Sequence, residues 1–336
     1  MKRMLDGKVA VVTGSGQGVG RGIALLLARE GAKVVTNNRK PKVGKKPEIA
    51  FRAAVLNGAD PSFSKAEHEK FDHLYGDAES TAEEIISEGG EAVPFYGDIL
   101  DWDTSGQLIK TAVDNFGRVD ILVNNAAGLG FGPFANLTRE DWNYQLGPKL
   151  TGAFNCMKHA VPYMVDQGYG RVLNTASDAW IGIASLSPYA AANAGLVALT
   201  KSVAKELFGS GITVNAFCPQ AESPGHVSFS ATLRTALEEN GGGFTVDPDQ
   251  MKSSEEAHGP AENLTFLAYL SSEEAGNISG AVFSVTGGGQ IALYSEPAHI
   301  SQIQKSGEAW TMEELRREVP TRLLKDYTSI AHSREF

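Results

Sequence analysis

Residues Lys8 to Asn38 read KVAVVTGSGQGVGRGIALLLAREGAKVVTNN, and this stretch decides the fold. Lys8 to Thr13 is a short, β-branched apolar run that ends in glycines, the pattern of a buried strand. From Gly18 onward the apolar residues recur at helical spacing and stop at Gly31, a residue that ends helices. Lys33 to Thr36 is a second strand, so the stretch predicts a strand, helix, strand unit. The turn inside it holds glycines at 14, 16, 18 and 20, where a residue without Cβ lets a ligand approach the backbone. The helix N-terminus that follows offers free N–H groups and a partial positive charge, which suits a pyrophosphate.

The same alternation continues outward. Helices are expected at Thr81–Glu88, Thr104–Phe116, Thr138–Met164, Tyr189–Leu207 and near Ala261–Leu270, with strands at Ala92–Tyr96, Asp120–Asn124, Arg171–Asn174, Thr213–Phe217 and Ala281–Val285. This order predicts an α/β fold, a Rossmann-like doubly wound parallel sheet with helices on both faces. A single dinucleotide-binding catalytic domain is expected over 1–290, followed by a C-terminal extension, 291–336, with one short helix at Thr311–Arg317. Residues 40–76 form an insertion that opens with the basic run RKPKVGKK and reads as a lid, an oligomer contact or a solvated surface subdomain. Residues 221–258, polar and glycine-rich, fall where ligand-covering loops belong.

Composition narrows the function. Of 336 residues, 42% are hydrophobic and 37 are glycine, ordinary for a globular α/β protein. A net charge of -10 argues against a nucleic-acid or anionic-membrane binder. Cys156 and Cys218 stand in no CxxC or Cys/His cluster, and the seven histidines include no HExxH, so no metal site is expected and both cysteines read as small buried apolar residues. The start shows no signal-peptide pattern and no window reaches a membrane-spanning length. A reducing, cytoplasmic setting is the expectation.

The chemistry is carried by Arg171 to Leu207, RVLNTASDAWIGIASLSPYAAANAGLVALTKSVAKEL. Tyr189 and Asn193 lie four apart on a helix, on one face. With Thr13-Gly14-Ser15-Gly16-Gln17-Gly18-Val19-Gly20, Asn124-Asn125-Ala126-Ala127-Gly128 and Phe283 to Gly289, this segment resembles the short-chain dehydrogenase/reductase family over residues 5–38 and 77–289. The resemblance implies an NAD(P)-dependent oxidoreductase that interconverts a secondary alcohol and a ketone by hydride transfer. Tyr189 would be the general acid/base and Ser177 would orient the substrate oxygen, with Ser185 and Ser187 as substitutes.

The tetrad is atypical. The family has lysine where this chain has Asn193, and asparagine where it has Lys149, in Lys149-Leu150-Thr151-Gly152. Two readings follow: the two residues have exchanged roles in ribose binding and in lowering the tyrosine pKa, or Lys149 is a surface residue and the chain is an inactive or regulatory nucleotide-binding subunit.

Gly14, Ser15, Gly18, Val19, Gly20, Asp98, Ile99, Asn125, Ala126 and Ala127 resemble the family's nucleotide wall. Pro219, Gln220 and Ser223 resemble its nicotinamide contacts, with Gln220 in place of a glycine. Asn38 stands where a carboxylate would select NAD. Arg39 next to it favours NADP(H) by forking onto a 2'-phosphate, with NAD(H) the alternative if it stacks on adenine or points to solvent. The implied partners are a small carbonyl or alcohol substrate and further copies of the chain, as a homotetramer or dimer, with no nucleic acid and no membrane.

Overall fold

The computed structural model describes residues 3–41, 75–225, 258–305 and 309–326, and the backbone of 51–53. Most of the insertion and of the 221–258 loop lies outside the described residues. The chain divides into two compact units, Met1–Leu293 and Tyr294–Phe336.

The first unit is built on an eight-stranded sheet. Its strands are β1 (Val9–Val12), β2 (Lys33–Asn38), β4 (Ala92–Tyr96), β5 (Ile121–Asn124), β7 (Gly170–Thr175), β8 (Ile212–Gln220), β9 (Val282–Thr286) and β10 (Ile291–Leu293). They lie in the order β10-β9-β8-β7-β5-β1-β2-β4. All pairings are parallel except β10 on β9. The helices are α1 (Gly18–Arg29), α2 (Ala78–Ser87), α3 (Trp102–Phe116), α4 (Arg139–Leu146), α5 (Ala153–Gln167), α6 (Ser187–Glu206) and the short α7 (Phe266–Leu270).

β1 shows why the sheet needs helices on both sides. Ala10 and Val12 join the core with Ile23 and Leu27 of α1 and Phe217 of β8, while Val9 and Val11 join Leu108 and Ile109 of α3 and Met157 and Met164 of α5. A strand buried on both faces reads as an unbroken apolar run, which is what the sequence has. Chain order runs from β1 through β2 to β4, then returns to β5 on the other side of β1. Ligands bind where such an order reverses, outside the carboxyl ends of the strands.

Three features depart from expectation. The helix expected over Thr138–Met164 is broken into α4, a π-helical stretch at Gly147–Gly152, and α5. Pro148 has no N–H to give the Tyr144 carbonyl and its ring crowds that oxygen, so the regular ladder cannot pass through. Tyr144 O then lies where a Cβ on Gly128 would stand, 2.3 Å away, so that position tolerates only glycine. The helix expected near Ala261–Leu270 is a 3-10 turn, Ala261–Asn263, followed by the five residues of α7. The insertion also supplies a strand the sequence pattern did not show, β3 (Phe51–Ala53), which pairs in parallel with β6 (Leu129–Phe131). In the second unit, α8 (Met312–Glu318) begins with a capping box from Thr311 to Glu314.

At the end of the sheet away from the switch point, the fully buried Asp120 carboxylate accepts from Val9 N at 2.9 Å and from Arg118 Nε and Nη2 at 2.7 and 2.6 Å. It joins the start of β1 to the start of β5. Asp120→Ala leaves a buried N–H without a partner and is expected to lower the unfolding free energy by about 3 kcal/mol. In urea this appears as a lower midpoint at unchanged slope.

Candidate active site

The nucleotide end of the site is assembled by the residues that follow β1, β2 and β5. The Thr13 hydroxyl accepts from Asn125 N at 2.9 Å and Ala126 N at 3.1 Å, and Asn125 Nδ2 donates to Thr13 O and Gly14 O. Ser15 Oγ donates to Val12 O at 2.8 Å and accepts from Asn37 N at 2.9 Å. The glycine turn is thereby fastened to both neighbouring strands. Gly14 and Gly18 have φ of 63° and 52°, the left-handed region that favours glycine.

The close approaches around this turn leave no space for a Cβ. A Cβ on Gly14 would stand 2.9 Å from Ala126 Cα, and one on Gly18 would stand 2.9 Å from Pro224 Cδ and 3.1 Å from Ser223 Cβ. Ser223 is therefore brought to the glycine turn. Val19 packs on the core and Ala127 faces outward on the open wall. At the adenosine end, Asn38 Oδ1 lies against Gly16 and is buried with no hydrogen-bond partner among the described residues. Arg39 is exposed. Asp98 Oδ1 accepts from Leu100 N at 2.9 Å, while Ile99 turns its side chain inward against Gly152 and its carbonyl accepts from Asn155 Nδ2.

The catalytic end is formed by the carboxyl end of β7, the π-helical stretch and α6. The Lys149 side chain is only 2% exposed, against the reading that made it a surface residue. Its Nζ donates to Thr175 O at 2.7 Å and lies 5.9 Å from the centroid of the Tyr189 ring. Burial pulls the ammonium down from 10.5 to about 8, opposed by the nearby Cys218. Burial pushes the Tyr189 phenol up, and hydrogen bonding by Ser177 and then Asn193 opposes that shift. Asn193 is fully buried. It donates Nδ2 to the Tyr189 carbonyl at 2.8 Å and leaves Oδ1 without a partner among the described residues.

Of Ser177, Ser185 and Ser187, Ser177 is the one that hydrogen-bonds the Tyr189 side chain. Ser185 instead occupies a left-handed conformation, φ 64°, and its carbonyl accepts from Gly132 N. Ser187 Oγ is buried without a partner among the described residues. Pro219 and Gln220 end β8; the Gln220 carbonyl accepts from Gly287 N, and its amide turns to Asp178. The loop after β8 leaves and returns at one place, since Glu222 N donates to Gly259 O at 2.9 Å.

Two participants had escaped the sequence reading. Thr13 organises the glycine turn, and its position before Gly14 was the available signal. Asp178, next to Ser177, gave none.

Comparison with known proteins agrees with this geometry. The short chain dehydrogenase family profile matches residues 63–228. A hydroxyacyl-CoA dehydrogenase of Mycobacterium tuberculosis is 32% identical over 332 residues, 96% of this chain and 89% of that protein. A D-beta-hydroxybutyrate dehydrogenase of Cupriavidus necator is 29% identical over 302 residues, 85% of this chain and 98% of the relative. A short chain dehydrogenase structure from Mycobacterium avium superposes with a TM-score of 0.72 at 32% identity, covering 97% of this chain and 98% of the other. The chain also spans 33% of the length of a Drosophila melanogaster peroxisomal multifunctional enzyme type 2, with 37% identity over 223 residues. The chain belongs to the short-chain dehydrogenase/reductase family and is an oxidoreductase of that class.

A Cβ on Gly20 would stand 2.3 Å from Asn125 Nδ2 and 2.4 Å from Gly14 O. Gly20→Ala is therefore expected to weaken nicotinamide nucleotide binding by about tenfold or more, or about 1.4 kcal/mol. Titration followed by the nucleotide's fluorescence measures this directly.

Proposed function

We propose that this protein interconverts a β-hydroxyacyl and a β-ketoacyl group, with Tyr189 as general acid/base, Ser177 orienting the substrate oxygen, and Lys149 and Asn193 sharing the duties of the family's lysine. The observation that carries the catalytic reading is the buried Lys149 ammonium, fixed on Thr175 O beside the Tyr189 ring. The substrate class rests on the relatives named for hydroxyacyl-CoA and β-hydroxybutyrate.

When bound, the nicotinamide accepts or gives the hydride at the carbon that bears the oxygen. In the oxidative direction the Tyr189 phenolate takes the hydroxyl proton; in the reductive direction the phenol returns it. A phenol with an ordinary pKa near 10 is a poor base at neutral pH, and lowering it by about three units requires about 4 kcal/mol of differential stabilisation. A cation within a few ångströms in a water-poor site supplies this, whereas a neutral amide at 193 cannot do so by charge. The unpartnered Asn193 Oδ1 suits a ribose hydroxyl, and the ammonium retains donors beyond the one given to Thr175.

At the adenosine end the reading places NAD(H) ahead of the NADP(H) that Arg39 suggested. A buried acceptor with no partner, Asn38 Oδ1, is satisfied by a ribose 2'-hydroxyl, which has a proton to donate, and not by a 2'-phosphate. NADH is expected to bind about tenfold or more tighter than NADPH, about 1.4 kcal/mol. Equal affinities in parallel titrations at one salt concentration would reverse the assignment. Exposed Phe154, Tyr163 and Val165 on α5 support assembly of several copies of the chain.

The exchange of roles has a kinetic signature. Lys149→Met is expected to reduce kcat by about a hundredfold. In the reductive direction, wild-type kcat/KM falls as pH rises through about 8, because the ammonium loses its proton there. The variant lacks that inflection. Its folded pKa lies below the unfolded value, so wild-type stability rises with pH between about 8 and 10.5, and Lys149→Met abolishes this rise. Combining Lys149→Asn with Asn193→Lys should recover about tenfold or more over Lys149→Asn alone, a coupling that independent residues do not show. If Lys149→Asn retains full activity, or Asn193→Lys alone increases it, the exchange is wrong.

A further inference from the structure

Asp178 follows Ser177 directly and is half-buried beside the catalytic group. Its Oδ2 accepts from Gln220 Nε2 at 2.7 Å and from Ser284 Oγ at 3.3 Å. Gln220 is the last residue of β8, and Ser284 lies on β9. The carboxylate is therefore held from two strands at the rim where the substrate oxygen is expected. Gln220 replaces the glycine of the family's Pro-Gly pair, so the amide that holds Asp178 departs from the family pattern. Burial pushes up both the Tyr189 phenol and the Cys218 thiol, and the same carboxylate adds to this, by its charge at Tyr189 and by charge and a hydrogen bond at Cys218.

The cations are placed differently. Among the described residues, the buried lysine and arginine side chains are Lys149 and Arg171. Lys149 donates to Thr175 O, beside the Tyr189 ring. Arg171 donates to Ser272 O, Gly170 O and Gly211 O at the opposite end of the sheet.

We infer that Asp178 makes this site select uncharged acyl derivatives, thioesters above all, over free β-hydroxy acids. The inference rests on the β-hydroxyacyl reading above and divides its two substrate classes. With the reacting carbon held against Tyr189 and Ser177, the carboxyl carbon of a β-hydroxy acid is two carbon–carbon bonds of about 1.5 Å away. A free carboxylate there adds a second negative charge beside the half-buried Asp178, and the two like charges repel. A thioester presents the same carbonyl geometry without that charge. Placing a like charge near a ligand's charged group is also how binding sites reject a near-isostere.

The experiment compares kcat/KM of the full chain for both enantiomers of 3-hydroxybutyrate, of its CoA thioester, and of its N-acetylcysteamine thioester. The last is neutral and lacks the CoA nucleotide, so it separates charge at the acyl group from binding of CoA. Both thioesters are expected to exceed the free acid by about tenfold or more, or about 1.4 kcal/mol. Asp178→Asn, which keeps an acceptor for the Gln220 amide, is expected to narrow the thioester-to-acid ratio about fivefold, most strongly at low salt. A free acid turned over as well as the thioesters overturns the inference. So does an N-acetylcysteamine thioester as poor as the acid, or an unchanged ratio in a folded Asp178→Asn enzyme. If all three compounds fail while a simple ketone is reduced, the β-hydroxyacyl reading itself falls, and the selectivity inference with it.

Discussion

The parallel pairing of β1 with β5 is the constraint from which the site follows. Ala10 to Val12 lie against Ile121 to Val123, and the chain passes from β2 and β4 on one side of β1 to β5 on the other. At this seam the turns after β1 and β5 diverge and leave a crevice. Thr13 spans it, donating to Val123 O and accepting from the amides of Asn125 and Ala126. The glycines of the first turn then become necessary, because Ala126 and Asn125 leave no space for a Cβ at Gly14 or Gly20.

The second constraint is a helix that cannot remain regular. Pro148 interrupts the run from Thr138, and the six residues of π-helix that contain it carry Lys149 inward toward Thr175 O. An ammonium buried this deeply loses its hydration, which is why it titrates near 8. Such a position is costly and is offset in part by the bond to Thr175 O, and π-helical stretches commonly occur at functional sites. The break, the burial and the displaced lysine form one local solution. An ordinary α-helix through 147–152 would turn residue 149 by a different angle.

Much of the fold was legible in the sequence because it depends on periodicity. The strands were named by β-branched runs and the first helix by its apolar spacing up to Gly31. The π-helix was not legible, since Gly147-Pro148 marks a disturbance without saying which way the next side chain turns. β3 and β6, three residues each, are too short to show a period and exist through each other's hydrogen bonds. In the candidate site, the glycine turn was legible from spacing, while Tyr189 and Ser177 came from the resemblance of their segment to the family's motif. The burial of Lys149 depends on tertiary packing, so the sequence left it open between a surface residue and a relocated charge. Asp178 was missed for a similar reason: an aspartate after a serine is an ordinary loop residue until the chain brings Gln220 and Ser284 to it.

Lys149 with Asn193, and Gln220, depart from the family pattern, and the two charges that accompany them, the Lys149 ammonium and the Asp178 carboxylate, both act on Cys218. The Asp178 carboxylate disfavours the phenolate, while the proposed exchange gives the Lys149 ammonium, 5.9 Å from the ring centroid, the opposite effect. The carboxylate's effect on Tyr189 is the smaller, ranking below burial and the Ser177 and Asn193 hydrogen bonds. Its hydrogen bonds also tie it to β8 and β9 rather than to the phenol. The selectivity proposed for it therefore concerns the substrate rather than the phenol. The roles proposed for Lys149 in proton transfer and for Asp178 in screening the substrate's charge are compatible in one site because each charge is held by its own partners, Thr175 O for the ammonium, Gln220 and Ser284 for the carboxylate.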